Sequence, residues 1–188
     1  MSRIKFIFTG AHGTGKTTIL NHFDEQKFPV ITEVVRKLSK EGVNINEMGD
    51  EEGQKKIFDT YLTILTSDQD YISDRGLTDV ISYSYDLSES GRVSQEEVFR
   101  ELCELVKFNA EQTDVVYFYF PIEFDVVDDG VRSTDEEFRH RIDKNIRDLL
   151  ITTKVPYITV TGTVEERIRI VEDAIKLQMA NVFKNRQG

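Results

Sequence analysis

Gly10-Ala11-His12-Gly13-Thr14-Gly15-Lys16-Thr17-Thr18 follows directly on the apolar run Ile4-Lys5-Phe6-Ile7-Phe8-Thr9. The stretch matches G-x-x-x-x-G-K-[ST] in full, between a segment that reads as a buried strand and one that reads as a helix. Each fixed residue type has a physical reason. Glycines let the backbone curl until successive amides point inward, forming a concave nest for phosphate oxygens. The helix that follows adds the positive end of its dipole. Lys16 is placed to reach the β- and γ-phosphates, and the Thr17 hydroxyl to ligate Mg2+. By average residue usage, the four fixed positions would fall together in under roughly 1% of chains of this length, so a glycine-rich turn that binds nothing is the weaker reading. His12 is variable in the pattern and reads as loop filling rather than as a catalytic base. Residues 10–17 are expected to hold the triphosphate of ATP or a close relative.

Outward from this loop the chain alternates strand and helix, with no repeat and no low-complexity linker. Strands are expected at residues 4–9, 28–32, 70–73, 115–120 and 155–160, and helices at 16–24, 33–40, 51–66, 77–87, 95–109, 135–150 and 163–179. Residues 42–49 form a polar break, and 88–94 a loop. Thr134 with Glu137, and Thr163 with Glu166, have the spacing of capping boxes for the last two helices. Strict alternation implies right-handed crossovers and a parallel sheet. The expected fold is α/β, a three-layer P-loop nucleotide-binding fold with a five-stranded parallel sheet and helices on both faces, formed as one domain by residues 1–188. Ligands in such sheets bind beyond the carboxyl ends of the strands.

Composition sets limits on the reading. The chain has 188 residues, 39% apolar and 31% charged, as a globular domain with a full core does. No apolar run reaches the length that spans a bilayer, and Met1-Ser2-Arg3-Ile4-Lys5 lacks the apolar core of a secretion signal. The single cysteine, Cys103, rules out an internal disulfide and suits a reducing cytoplasm; its helical apolar surroundings read as those of a buried structural thiol. A formal net charge of −10 argues against bulk contact with a nucleic-acid backbone, although a local basic cleft stays open.

Two further strand ends carry candidate chemistry. Asp74 follows Tyr71-Ile72-Ser73, where a carboxylate sits beside the phosphate loop and can hold magnesium; the other reading is a helix N-cap, and the two roles are compatible. Glu33 ends the second strand with Arg36 one turn later. The carboxylate can take a proton from an acceptor hydroxyl and the arginine can grip an anion, or the two form an ordinary i, i+3 ion pair. Residues 120–133 have the length and the Gly130 hinge of a lid, or of a solvated acidic loop. The acceptor side is expected between 33–66 and 76–109, where Tyr83 and Tyr85 offer aromatic faces or core packing.

The phosphate loop, Thr32-Glu33-Val34-Val35-Arg36, Ser73-Asp74-Arg75-Gly76-Leu77-Thr78-Asp79 and Asp129-Gly130-Val131-Arg132-Ser133-Thr134 together resemble small P-loop kinases. The chain is most similar to the thymidylate-kinase-like and ribosylnicotinamide-kinase-like ATPase domains, a group with bacterial and bacteriophage members, over nearly its whole length. The resemblance implies ATP and Mg2+ as cofactors, metal and acceptor roles for Asp74 and Arg75, and a base role for Glu33. It further implies lid arginines closing over the phosphates, Arg132 first and Arg139 second, and adenine contacts from Thr161, Gly162 and Thr163. The lid stretch carries one loop arginine among Asp125, Asp128 and Asp129, where nucleoside monophosphate kinases carry several, so a nucleoside or another hydroxyl stays open as the acceptor.

The resulting expectation is a kinase that moves the γ-phosphate of MgATP to a nucleoside- or nucleotide-like acceptor. Nucleotide contacts fall to Gly10, His12, Gly13, Thr14, Gly15, Lys16, Thr17, Thr18, Arg132, Thr161 and Gly162. Metal falls to Thr17 and Asp74, and substrate to Glu33, Arg36 and Arg75. One alternative acceptor is a modified base, such as a hydroxymethyl pyrimidine, within bacteriophage DNA, reached through a basic groove of Lys37, Lys40, Arg92 and Arg100. A nucleotide switch with no small-molecule acceptor is the other. A homodimer is compatible with all three.

Overall fold

The computed structural model describes residues 3–23, 29–112, 114–125 and 135–185. Its centre is β1 (Lys5–Thr9), five buried residues whose side chains alternate between two cores. Phe6 and Phe8 face one core and Ile7 faces the other. Four further strands join it: β2 (Val30–Ile31), β3 (Tyr71–Asp74), β4 (Val115–Tyr119) and β5 (Tyr157–Thr159). All pair in parallel, in the order β2-β3-β1-β4-β5.

Helices cover both faces of the sheet. On one lie α1 (Lys16–Phe23) and α7 (Val164–Asn185), whose Ile19, Leu20, Val171 and Ile175 pack on Phe6, Phe8, Phe118 and Phe120. The other is covered by α2 (Val34–Lys40), α3 (Glu51–Leu65), α4 (Leu77–Glu89) and α6 (Glu136–Thr152). There Phe58, Tyr61, Ile81, Phe138 and Ile142 close on Ile7, Tyr71 and Tyr117. Between them, α5 (Gln95–Glu111) packs on α4 from outside, through the small cluster Leu87, Val93 and Val98. No helix among the described residues is long and apolar enough to cross a membrane.

Several sequence expectations shift by a few residues, and three need correction. The polar break holds a 3-10 turn, Asn46–Met48. Among the described residues the second strand is Val30–Ile31, ending early because Glu33 leaves extended geometry at φ 62°; Phe28 lies outside them. The N-cap of α6 is Asp135, which accepts from the Phe138 amide at 3.0 Å; Thr134 lies outside the described residues. Cys103 is exposed, since α5 turns Val98, Glu101, Leu105 and Phe108 inward and leaves Phe99 and Cys103 outside. The Thr163–Glu166 box is present in both directions, at 2.8 and 3.3 Å.

Glu101 is the unexpected member of this packing. Its side chain is fully buried between α5 and α4, with the Ser84 hydroxyl donating to Oε1 at 3.1 Å. Oε2 has no hydrogen-bond partner among the described residues. Burial pushes the carboxyl up to about 8, against Ser84 and Arg100 and with Glu97 and Asp59. The unfolded chain titrates this group near 4.5, so between there and about 8 the folded protein keeps a proton that unfolding releases. The contribution of Glu101 to stability is therefore whole below the lower value and is lost as pH rises through the higher one. Urea midpoints should fall as pH is raised across this window, and the fall should flatten in Glu101→Gln. Equal slopes in the two proteins would place the loss elsewhere.

Candidate active site

β1 ends at the middle of the sheet, so Gly10 emerges between the ends of β3 and β4. Gly10 has φ 149° and presses against the Phe120 carbonyl, where a Cβ would collide. The loop that follows is gripped from behind. Arg139 of α6 donates from Nε to the His12 carbonyl at 3.1 Å and from Nη2 to the Gly13 carbonyl at 3.3 Å. Arg167 of α7 donates from Nη1 to the Thr14 carbonyl at 2.9 Å. Both arginines are buried. A trans peptide sets its N–H opposite its C=O. With the carbonyls of His12, Gly13 and Thr14 drawn outward, the amides of Gly13, Thr14 and Gly15 turn toward the cleft, as an anion nest requires. Asp79 of α4 fixes the loop's start, accepting from the Gly10 amide at 3.1 Å and the Gly76 amide at 3.0 Å.

Inside the loop, the Lys16 ammonium donates to the carbonyls of Gly10 at 2.5 Å and Ala11 at 2.7 Å. His12 is buried, its Nδ1 lying 3.1 Å from the Tyr83 hydroxyl. Thr17 Oγ1 donates to Asp74 Oδ2 at 3.3 Å. Asp74 Oδ1 is buried and has no hydrogen-bond partner among the described residues. Asp74 therefore does not cap α4, where Gly76 stands at the N-cap position. No cluster of three or more His, Cys, Asp or Glu side chains arises among the described residues. The Thr17–Asp74 pair, with one carboxylate oxygen left over, fits Mg2+, which takes one or two protein oxygens and completes its shell with phosphate and water.

The same cleft continues past Asp74. Residues 12–18, Glu33, Val34, Val35, Arg36, Ile45, Asn46, Tyr61, Asp74 and Arg75 line it together. Glu33 and Arg75 both hold left-handed backbone conformations, φ 62° and 78°, at the ends of neighbouring strands. Such strain in residues other than glycine concentrates where a side chain must be aimed at a ligand. Glu33 and Arg36 form an ion pair at 3.4 Å while both remain exposed to the cleft, so the pair and the cleft position coexist. Burial opposes the charge on Arg75, yet Tyr83, Asp79, Tyr61 and Asp74 raise its pKa above the ordinary guanidinium value. An inner pocket opens behind it, lined by Val35, Ile45, Gln54, Ile57, Arg75, Val80 and Tyr83 among others. Tyr83 thus serves the pocket, whereas Tyr85 is exposed.

Arg132 lies outside the described residues, as does most of the expected lid. Arg139 is not a lid arginine: buried against the phosphate loop, it braces the carbonyls of the nest. Thr161 and Gly162 are exposed; Gly162 receives Arg167 Nε on its carbonyl at 2.9 Å, and its amide donates to Glu123. The loop after β5 is in this way tied to the back of the nest. Arg100 pairs with Glu97 and Asp59. Arg167 is not singled out by the sequence, and Asp79 only within the segment 73–79, because nothing in their spacing marks a contact with Thr14 or Gly10. Replacing Arg139 by Lys keeps a charge but loses the fork that spans the carbonyls of His12, Gly13 and Phe124. It should cost about 2–4 kcal/mol of nucleotide-free stability in urea unfolding, since charged hydrogen bonds are lost and acceptors orphaned. Unchanged stability would return Arg139 to a role over the phosphates.

The geometry can be set beside known proteins. No curated protein matches the sequence. Among solved structures, deoxyadenosine kinase from M. mycoides, with products dCMP and dCDP bound, is similar at TM-score 0.67 and 15% identity, covering 92% of this chain and 98% of that one. NadR protein in complex with NR is similar at TM-score 0.69 and 14% identity over 91% of this chain, which spans about half of NadR, 51%. Thymidylate kinase from Ehrlichia chaffeensis gives TM-score 0.56 at 14% identity, over 94% of this chain and 100% of that one. At such identities the likeness is one of fold: a parallel P-loop sheet flanked by helices. The AAA domain family matches residues 5–167, from the first strand through Arg167, and the chain belongs to that family.

Proposed function

We propose that the protein is a phosphotransferase that moves the γ-phosphate of ATP to a hydroxyl or phosphate oxygen of a nucleoside- or nucleotide-like acceptor. The observation that carries this reading is the shared cleft: the phosphate nest, the Thr17–Asp74 pair and the Glu33, Arg36 and Arg75 side chains all line one space. A switch protein needs the first two and has no use for the rest. The kinase folds of the similar structures support the same reading.

In this mechanism the inward amides of Gly13, Thr14 and Gly15 hold the phosphates, with Thr18 beside them. Lys16 leaves its loop carbonyls to neutralise charge on the β- and γ-oxygens. Thr17 Oγ1 and Asp74 would hold Mg2+, which when bound offsets the negative charge that phosphoryl transfer concentrates there. Glu33 accepts the proton of the acceptor hydroxyl as its oxygen bonds to the γ-phosphorus. The bond from that phosphorus to the β–γ bridging oxygen breaks, and ADP leaves. Arg36 and Arg75 hold the acceptor, and any anionic group on it, in line. The inner pocket behind Arg75, apolar on Ile45, Ile57 and Val80 and polar at Gln54, suits a planar heterocycle. Arg132 is proposed to close over the phosphates, and Thr161 and Gly162 to border the donor base.

The test is MgATP consumption against nucleosides, nucleoside monophosphates and ribosylnicotinamide, read as phosphorylated product. An acceptor-dependent rate supports the proposal; slow hydrolysis that none of them accelerates would replace it with the switch. Lys16→Ala should abolish transfer while the circular dichroism spectrum stays the same, and full turnover would refute the role of the loop. Glu33→Gln should lower kcat by about 10²- to 10⁴-fold, the usual worth of a general base, with little change in ATP affinity. Equal losses in both would make Glu33 structural.

A further inference from the structure

Every group of the acceptor side lies toward β2 and β3, so the donor's base must leave the phosphate nest in the other direction, toward β4 and β5. Phe124 stands there. Its ring rides directly on the phosphate loop: a Cβ added to Gly15 would sit 3.1 Å from Phe124 Cζ and 3.1 Å from Arg167 Nη1. The Arg167 guanidinium lies 5.0 Å from the ring centroid. The Phe124 carbonyl accepts from Arg139 Nη2 at 2.8 Å. Arg167 also pairs with Glu123 and reaches the Gly162 carbonyl. An aromatic ring so firmly held would ordinarily be covered, yet Phe124 is 46% exposed.

Both buried arginines that brace the nest thus also fix one exposed aromatic side chain, at backbone and at ring. Exposed aromatic surface beside charged neighbours such as Glu123 and Asp125 has a hydrophobic cost that a stacked ligand would remove. A guanidinium near the ring holds its plane and withdraws electron density, which favours an electron-rich heterocycle on what remains open. We propose that Phe124 is the stacking platform for the nucleobase of the donor nucleotide, held in register with the phosphate nest by Arg139 and Arg167. This rests on the reading of residues 10–17 as a triphosphate site. It assigns the base end of that ligand to a residue that contacts no acceptor group in the cleft lining.

The sequence contains no tryptophan, so Phe124→Trp creates a single fluorescent reporter at the platform. MgATP should quench its emission, whereas magnesium tripolyphosphate, which has the phosphates and no base, should displace ATP without quenching. In Phe124→Ala, ATP affinity measured by calorimetry should fall roughly tenfold or more, the scale of one base–aromatic stack, while tripolyphosphate affinity holds. Phe124→Tyr should restore ATP binding. Matching emission changes with ATP and tripolyphosphate, or an unchanged ATP affinity in Phe124→Ala, would overturn the platform. Failure of the wild-type protein to bind either compound would instead overturn the triphosphate site itself. Retained tripolyphosphate binding shows that each variant is folded.

Discussion

Three backbone carbonyls drawn to two buried arginines are the constraint on which this site depends. A phosphate nest needs several consecutive amides aimed at one point, and a polypeptide left alone would rather pair each of them. Here the loop is turned inside out from behind, by Arg139 on His12 and Gly13 and by Arg167 on Thr14. The planar trans peptide then leaves the following amides no direction but inward. Two guanidinium groups buried so close to a phosphate site would be costly if they lacked partners. Each is satisfied by loop carbonyls together with a carboxylate, Glu136 for Arg139 and Glu123 for Arg167.

The same economy governs the acceptor side. Asp79 sits beneath the junction of the phosphate loop and the turn after β3, and one carboxylate serves amides of both. Burial raises its pKa, against the opposing pull of Lys16 and Arg75. Above it, Arg75 and Glu33 leave their strands in left-handed conformations that extended residues would not adopt. Parallel strands ending side by side, Phe8 level with Asp74 and Ile31 with Ser73, make these turns neighbours. Strain, charge and proximity therefore coincide at the carboxyl edge of the sheet, while its amino edge carries satisfied groups such as Lys5, bonded to Leu65 and Gln112.

The chemistry proposed for the cleft follows from how few of its groups are interchangeable. Thr17 and Asp74 present hard oxygens, one of them without a partner among the described residues. Glu33 is the exposed carboxylate beside them, and Arg36 and Arg75 are cations with planar, fork-shaped donors suited to an anionic or hydroxylated ligand. The inner pocket places apolar walls behind these cations and two carboxamides, Asn46 and Gln54, among them. Phosphoryl transfer asks for charge neutralisation and alignment more than for covalent chemistry, and this is what such a set supplies.

What the sequence determined was periodic or local. The glycine loop announced itself by residue type and spacing, and the alternation of apolar runs gave the parallel sheet and its helices. Asp74 and Glu33 were legible because strand ends in such sheets meet, and the Thr163–Glu166 box because caps are read within one turn. What only the tertiary structure decided was long-range. Arg139 reaches back 126 residues to Gly13, and Arg167 reaches 153 to Thr14, and no spacing rule connects such partners. Cys103 and Glu101 fell on the faces opposite to expectation in the first case and without warning in the second, because α5 packs on α4 by a stripe that its own composition leaves ambiguous. Local free energy chooses the elements, whereas the orientation of each helix about its axis is chosen by the neighbour it buries against.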